Sequence, residues 1–180
     1  MFIKNKTFSL ETAQNTDPGK VKRLYIWHKD LSALVGKIGI YENLVELDIS
    51  WTQSKEIPEE IKRLRKLKKL VILNADIDYF PEWICDMITL KELMVRGTSL
   101  TAIPKNIDNL INLKRLELGV NPIKVLPKEI GKLKKLKFLG LHDTKITSIP
   151  DEILALPKLK HLGLTATAID VKTRKDIEKR

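Results

Sequence analysis

Few residues in this chain could do chemistry on their own. Its three histidines are His28, His142 and His161. His142 precedes Asp143, and with His161 they make the one grouping that could ligate a metal or act as an acid–base pair. Two histidines and an aspartate on an open surface are more often plain surface residues. Cys85 is the single cysteine, so no disulfide forms within the chain and no cysteine cluster holds zinc. It lies between Ile84 and Asp86 with no basic neighbour to lower its pKa, and reads as an inert thiol. No Gly-rich phosphate loop, H-E-x-x-H, C-x-x-C or G-x-S-x-G is found. The chain reads as a non-enzyme with no cofactor and no metal.

Binding chemistry is better represented. Tyr25, Trp27, Trp51, Val71, Leu73 and Met94 are large apolar or amphipathic groups, and Arg96 follows them closely. Aromatic side chains and Arg are enriched where partners grip, and a solvent-facing apolar patch marks an interface. A second set is cationic: Lys68, Lys91, Lys114, Lys137 and Lys160, joined by Lys22, recur at one spacing. A linear row of Lys could track a phosphate backbone or an anionic membrane. No aromatics interleave with it, as a single-strand binder would want. A solvated Lys edge is the plainer alternative.

What positions these groups is an internal repeat of 23 residues. With Leu44 as position 1, equivalent residues are Val21, Leu44, Leu67, Leu90, Leu113, Leu136 and Leu159. Position 4 is Leu throughout, from Leu24 to Leu162, and position 6 runs from Ile26 to Leu164 with Ile, Val or Leu. Position 14 runs Leu34, Ile57, Phe80, Ile103, Leu126, Ile149; Pro follows it five times, and Val35 takes that place in the first unit. Position 18 is Ile in all six complete units, and position 21 is Tyr41, Leu64, Met87, Leu110, Leu133 and Leu156.

Alternating apolar residues at positions 4 and 6 have the period of a strand buried on one face. Proline at position 15 has no N–H for a ladder, so the chain leaves the sheet before it. Ile at 18 and an apolar residue at 21 suit a short helical turn facing inward. One such unit cannot bury its own apolar edge, whereas stacked units share a continuous core. Seven parallel strands at about 4.8 Å give a sheet roughly 29 Å wide.

The pattern L-x-x-L-x-L-x-x-(T/N)-x-L-x-x-(L/I)-P-x-x-I-x-x-L-x-x, over Val21 to about Ile169, resembles the leucine-rich-repeat family, most closely short bacterial proteins with Ile-Pro-x-x-Ile or Leu-Pro-x-x-Ile units. The resemblance implies an α/β fold: a right-handed solenoid or horseshoe with a parallel sheet on its concave face and 3₁₀ or irregular segments on the convex face. It also implies a protein–protein interaction scaffold rather than an enzyme, with a protein or peptide partner it does not name. Position 9 departs from the family's usual Asn: Lys29, Thr52, Ala75, Thr98, Asn121, Thr144 and Thr167. Ala75 has no side-chain bond to offer, which predicts a looser turn there with a buried water.

Three segments make one domain: residues 1–20 as an N-terminal cap, 21–169 as seven repeats with the last partial, and 170–180 as a C-terminal capping helix. Ser9 reads as N-cap of a short helix, with Phe8 and Leu10 over the first coil and Asp17-Pro18-Gly19 as the turn into it. Asp170 reads as the cap of a final helix that lays Val171, Arg174 and Ile177 on the last coil. Such caps suit a complete small protein and a monomer.

Positions 3, 5, 7 and 8 should face a partner. Position 3 alternates in sign over Arg23, Glu46, Lys69, Glu92 and Arg115, a ladder that supports register. The apolar patch lies on the first four strands, and its alternatives to partner binding are cover by the cap and self-association. In the C-terminal half, Gly119, Gly140, Gly163 and Ala166 suggest a shallow trough that seats a peptide, or relief of crowding. The net charge of +10 adds the alternative of an electrostatic binder of nucleic acid or anionic membrane along the Lys edge, set behind protein binding. The start lacks the apolar stretch of a secretory signal and no apolar run nears the roughly 20 residues of a membrane span, which favours the cytoplasm.

Overall fold

The apolar columns of the repeat become one continuous core. In a computed structural model describing residues 8–28, 31 and 35–178, eight parallel strands form a single sheet in chain order. They are β1 (Phe8–Ser9), β2 (Arg23–Trp27), β3 (Glu46–Ser50), β4 (Lys69–Leu73), β5 (Glu92–Arg96), β6 (Arg115–Glu117), β7 (Phe138–Gly140) and β8 (His161–Gly163). Every coil-to-coil pairing joins residues 23 apart, as in Leu24↔Leu47↔Leu70↔Leu93. Positions 4 and 6 point inward: Leu47, Ile49, Leu70, Ile72, Leu93 and Val95 are fully buried. The sheet lines the concave side of a leucine-rich-repeat horseshoe, as expected. Lys29 and Leu34 lie outside the described residues, as does the start of the chain.

The count of seven strands is corrected to eight. Phe8 and Ser9 pair with Leu24 and Tyr25, so the segment before the first coil extends the sheet as well as covering it. Ser9 then caps α1 (Leu10–Gln14), its Oγ accepting from the Thr12 amide, while Phe8 and Ala13 are buried against the first coil.

The Pro-x-x-Ile motif is one turn of 3₁₀ helix. The carbonyls of Pro58, Pro81, Pro104 and Pro127 accept the amides of Ile61, Ile84, Ile107 and Ile130 at 3.0–3.2 Å. Proline suits this place because its fixed φ starts the turn and its missing N–H would have no partner there. Ile-x-x-Leu repeats the turn, with the Leu64 amide on the Ile61 carbonyl at 3.0 Å. The sixth coil differs, forming the short helix α2 (Asp151–Leu154), whose last turn closes from the Ala155 amide to the Asp151 carbonyl at 2.9 Å.

At the far end Asp170 accepts the Thr173 amide at 2.9 Å and starts α3 (Val171–Glu178). The Thr173 hydroxyl and then its amide, both donating to the Asp170 carboxylate, hold that carboxyl below its ordinary value. Arg174 reaches the Ile169 carbonyl and Ile177 packs on the core, but Val171 is 63% exposed and does not lie on the last coil. Six residues along a helix amount to about 600°, so Val171 sits about a third of a turn from Ile177 and cannot share its contact line.

The looser turn expected at Ala75 is absent. At position 8 the backbone amide bonds the position-7 carbonyl of the next coil, and around Ala75 these bonds are short: Trp51 to Leu73 at 2.7 Å and Asn74 to Arg96 at 2.8 Å. The longest is Gly97 to Gly119 at 3.4 Å, one coil further on. Backbone bonds carry the turn, so a missing side-chain bond at position 9 does not open it. Where Asn is present its bonds are extensive: Asn121 Nδ2 donates to the carbonyls of Val95, Leu118 and Gly119, and its Oδ1 accepts from the Thr98 amide.

Candidate functional site

The concave face divides into two regions of opposite character. In the N-terminal one, strand alternation turns Tyr25 and Trp27 outward on β2, their rings 4.9 Å apart and tilted. Trp27 is 50% exposed. On β4 and β5, Leu73, Met94 and Arg96 are half-buried on the same face. Val71, expected to face solvent, is buried: its register partners Asp48 and Met94 flank a short branched side chain where concave side chains converge.

Trp51 lies elsewhere than on the sheet. Position 8 holds a left-handed backbone in every coil, with φ of 54° at His28, 59° at Trp51, 51° at Asn74, 63° at Gly97, 57° at Val120, 55° at Asp143 and 56° at Ala166. This residue turns the chain out of the strand. Trp51 therefore stands on the rim and stacks with His28, ring centroids 6.0 Å apart, with 54% of its surface exposed. The sequence cluster thus resolves into a pair on the sheet and a pair on the rim, both solvent-accessible with α1 in place.

The C-terminal region is filled by the chain's own charged side chains. Arg115 Nη2 bonds Glu117 Oε1 at 2.5 Å, and its guanidinium carbon lies 3.8 Å over the Phe138 ring. Phe138 in turn stands 5.9 Å from the His161 ring. The Glu117 carboxylate occupies the space above Gly140: a Cβ there would be 1.8 Å from Glu117 Oε2. Likewise His142 covers Gly119 and its Nε2 meets Arg96 Nη2 at 2.8 Å, a bridge across the intervening strand. The glycine trough is therefore corrected: at Gly119 and Gly140 the missing side chains make room for neighbours, and only Gly163 has ordinary clearance. Sequence reading missed Glu117 and Phe138 as parts of this floor; a charged residue beside glycine in the same column was the available signal.

The His142–Asp143–His161 grouping also falls apart. His161 stands at position 3 and His142 at position 7, about 13 Å apart along the strand direction. Among the described residues no set of three His, Cys, Asp or Glu is placed to hold a metal ion. Burial, then the nearby Asp86, Glu82 and Asp108, push the Cys85 thiol up to about 12.

The ion-pair ladder holds over three strands. Glu46 takes Arg23 Nε at 3.3 Å and Lys69 Nζ at 2.6 Å, whereas Arg115 turns to Glu117 on its own strand. These partly exposed pairs set register more than stability. The row Lys68, Lys91, Lys114, Lys137 and Lys160 is exposed where the strands begin.

A family model described as a leucine-rich repeat region matches residues 99–175. No curated protein matches the chain. Among solved structures, a leucine-rich-repeat protein of Leptospira interrogans is similar at 32% identity and a TM-score of 0.77, over 89% of this chain and 41% of that one. An internalin (inlF) of Listeria monocytogenes shares the fold at 20% identity and a TM-score of 0.71, over 96% of this chain and 55% of its own. The plant peptide hormone receptor RGFR1, in complex with RGF2, is similar at 26% identity and a TM-score of 0.62, over 83% of this chain and 24% of the receptor. The chain thus spans about half or less of these three structures.

Proposed function

The chain is a leucine-rich-repeat protein, and we propose that it acts as a monomeric protein- or peptide-binding module through the N-terminal half of its concave face. The observation that carries this reading is the pair of accessible aromatic sites, Tyr25 with Trp27 on the sheet and His28 with Trp51 on the rim. Rigid aromatic rings supply large contact area at low entropic cost, and half-exposed tryptophans lose water-facing apolar surface when a partner covers them. Leu73 and Met94 continue the apolar floor, and Arg96, held by His142, borders it as a positioned donor. That a plant neighbour is a peptide hormone receptor in complex with RGF2 supports the kind of partner. The reading involves no cofactor and no catalytic step.

The test is capture of a partner, or of a peptide selected from a displayed library, by wild type and by Trp27→Ala/Trp51→Ala. Capture should fall at least about 30-fold for the double variant, as loss of one hot-spot residue alone would produce. Thermal unfolding should stay almost unchanged. Unaltered capture, or loss of the fold, would remove the site from this face.

A further inference from the structure

We propose that the edge of the solenoid where the strands begin is a docking surface for an anionic lipid bilayer. Positions 22, 23 and 2 of the coils form this edge. From Lys22 onward they hold eleven cations, the six position-2 lysines with Arg65, Lys66, Lys134, Lys135 and Lys158, and one acid, Glu42. Taking these from the chain's 33 Lys+Arg and 23 Asp+Glu leaves 22 of each. The edge thus carries the whole net charge of +10 and the rest of the chain is balanced. A general excess of lysine would have spread over every face.

No carboxylate among the described residues is paired with this charge. Among the described residues none of the eleven cations forms an ion pair. Lys66 and Lys135 bond only the neutral side-chain oxygens of Asn43 and Asn112, each at 2.6 Å, and Lys134 the Gly131 carbonyl at 2.7 Å. Elsewhere the same chain pairs its cations with carboxylates, as at Lys69–Glu46 and Lys132–Asp108.

The middle of the edge is apolar as well as cationic, which favours a bilayer. Ile88 and Ile111 stand at the turn tips of adjacent coils in the middle of this edge, 53% and 58% exposed. Lys91 and Lys114 follow them within three residues, and both are exposed. Aliphatic tips surrounded by long cationic stems suit a bilayer surface, where Ile enters the acyl boundary and Lys reaches headgroup phosphates. A single-stranded polynucleotide would call for aromatic platforms the edge lacks, and the phosphates of a duplex offer exposed Ile no apolar counterpart. The edge is also regular. Each position-2 amide from Val45 to Lys160 donates to the position-2 carbonyl of the coil before it at 2.7–2.9 Å, and no coil carries an insertion. The lysines are thereby set at strand spacing along roughly 29 Å. Trp27, five residues further along its strand, would stand about 16 Å from that edge, leaving the concave face free.

The test is partitioning of the full chain onto vesicles of phosphatidylcholine with about a third phosphatidylserine, against phosphatidylcholine alone. Binding should require the anionic lipid and weaken steeply as salt rises. Replacing Lys91, Lys114 and Lys137 by Gln should lower the partition coefficient about 100-fold, near fivefold per charge. Ile88→Ser/Ile111→Ser should lower it about tenfold at unchanged charge and unchanged thermal unfolding. Trp27→Ala should bind vesicles as wild type does, so that failure of the concave-face reading leaves this one standing. Binding indifferent to phosphatidylserine, or insensitive to the Ile substitutions, overturns the proposal. So does binding of a DNA duplex more tightly than the vesicles, which would assign the edge to nucleic acid.

Discussion

The two halves of the concave face are built on one repeat and reach opposite ends. From β2 to β5 the outward positions include Tyr25, Trp27, Leu73 and Met94, with the polar Asp48 and Ser50 between them on β3, and the outermost, Trp27, remains half in water. From β6 to β8 the same columns carry Glu, Gly and His, which fold onto one another until Glu117 is only 4% exposed. A repeat fixes where a side chain starts but not whether its neighbours leave it room. Tyr25 and Trp27 support each other on one strand and stay outward, whereas a charged residue beside glycine lies down across the gap.

This difference can be tested from its strongest consequence downward. The largest effect on stability should come from Gly140→Ala. The new methyl would meet Glu117 Oε2 and displace a nearly buried carboxylate from Arg115. We expect a loss of about 1–3 kcal/mol in chemical unfolding. An unchanged midpoint would mean that the C-terminal floor is not packed as described.

Gly119→Ala should cost less, about 1 kcal/mol, since the obstructing group is the His142 ring, which is half-buried and can swing away from Arg96. A cost above that of Gly140→Ala would reverse the order of the two contacts.

The rim offers a substitution of opposite sign. Val120 holds φ of 57°, a conformation a β-branched residue rarely adopts. Val120→Asn should stabilise by about 0.5–1 kcal/mol in the same unfolding measurement, because Asn tolerates the left-handed region that Asn74 already occupies. Destabilisation would show that the Val side chain has a packing role at the rim.

The smallest effect is local. The Asp170 carboxyl is held below its ordinary value chiefly by its hydrogen bond to Thr173. A depressed carboxylate contributes stability that is present above its unfolded pKa of about 3.9 and is lost as pH falls through the lower folded value. The protection of the Thr173 amide, its exchange relative to the intrinsic rate at each pH, should therefore fall below about pH 4. Asp170→Ala should remove that dependence while the coils exchange as before.

Much of this was legible in the sequence because a period of 23 residues specifies register directly. Columns 4, 6, 18 and 21 mark the core, and Pro-x-x-Ile marks the turn on the convex side. What escaped depends on neighbours rather than on period. Val71 is an outward position by alternation, yet longer flanking side chains enclose it. Trp51 follows an outward position, but a left-handed backbone moves it to the rim; His28, Asn74, Gly97 and Asp143 in that column are types that tolerate this backbone, while Trp51, Val120 and Ala166 mask the signal. Phe8 and Ser9 lie before the first repeat, so the strand they add has no column to betray it.

The most direct test of the central claim is a hydrogen-exchange and surface-labelling footprint of the full chain, taken with and without a peptide selected to bind it. The account predicts protection confined to β2–β5 and the His28–Trp51 rim, with Trp27 and Trp51 shielded from labelling and β6–β8 unaltered. Protection centred on Phe138, His142 and His161, with Trp27 and Trp51 still accessible, would contradict it.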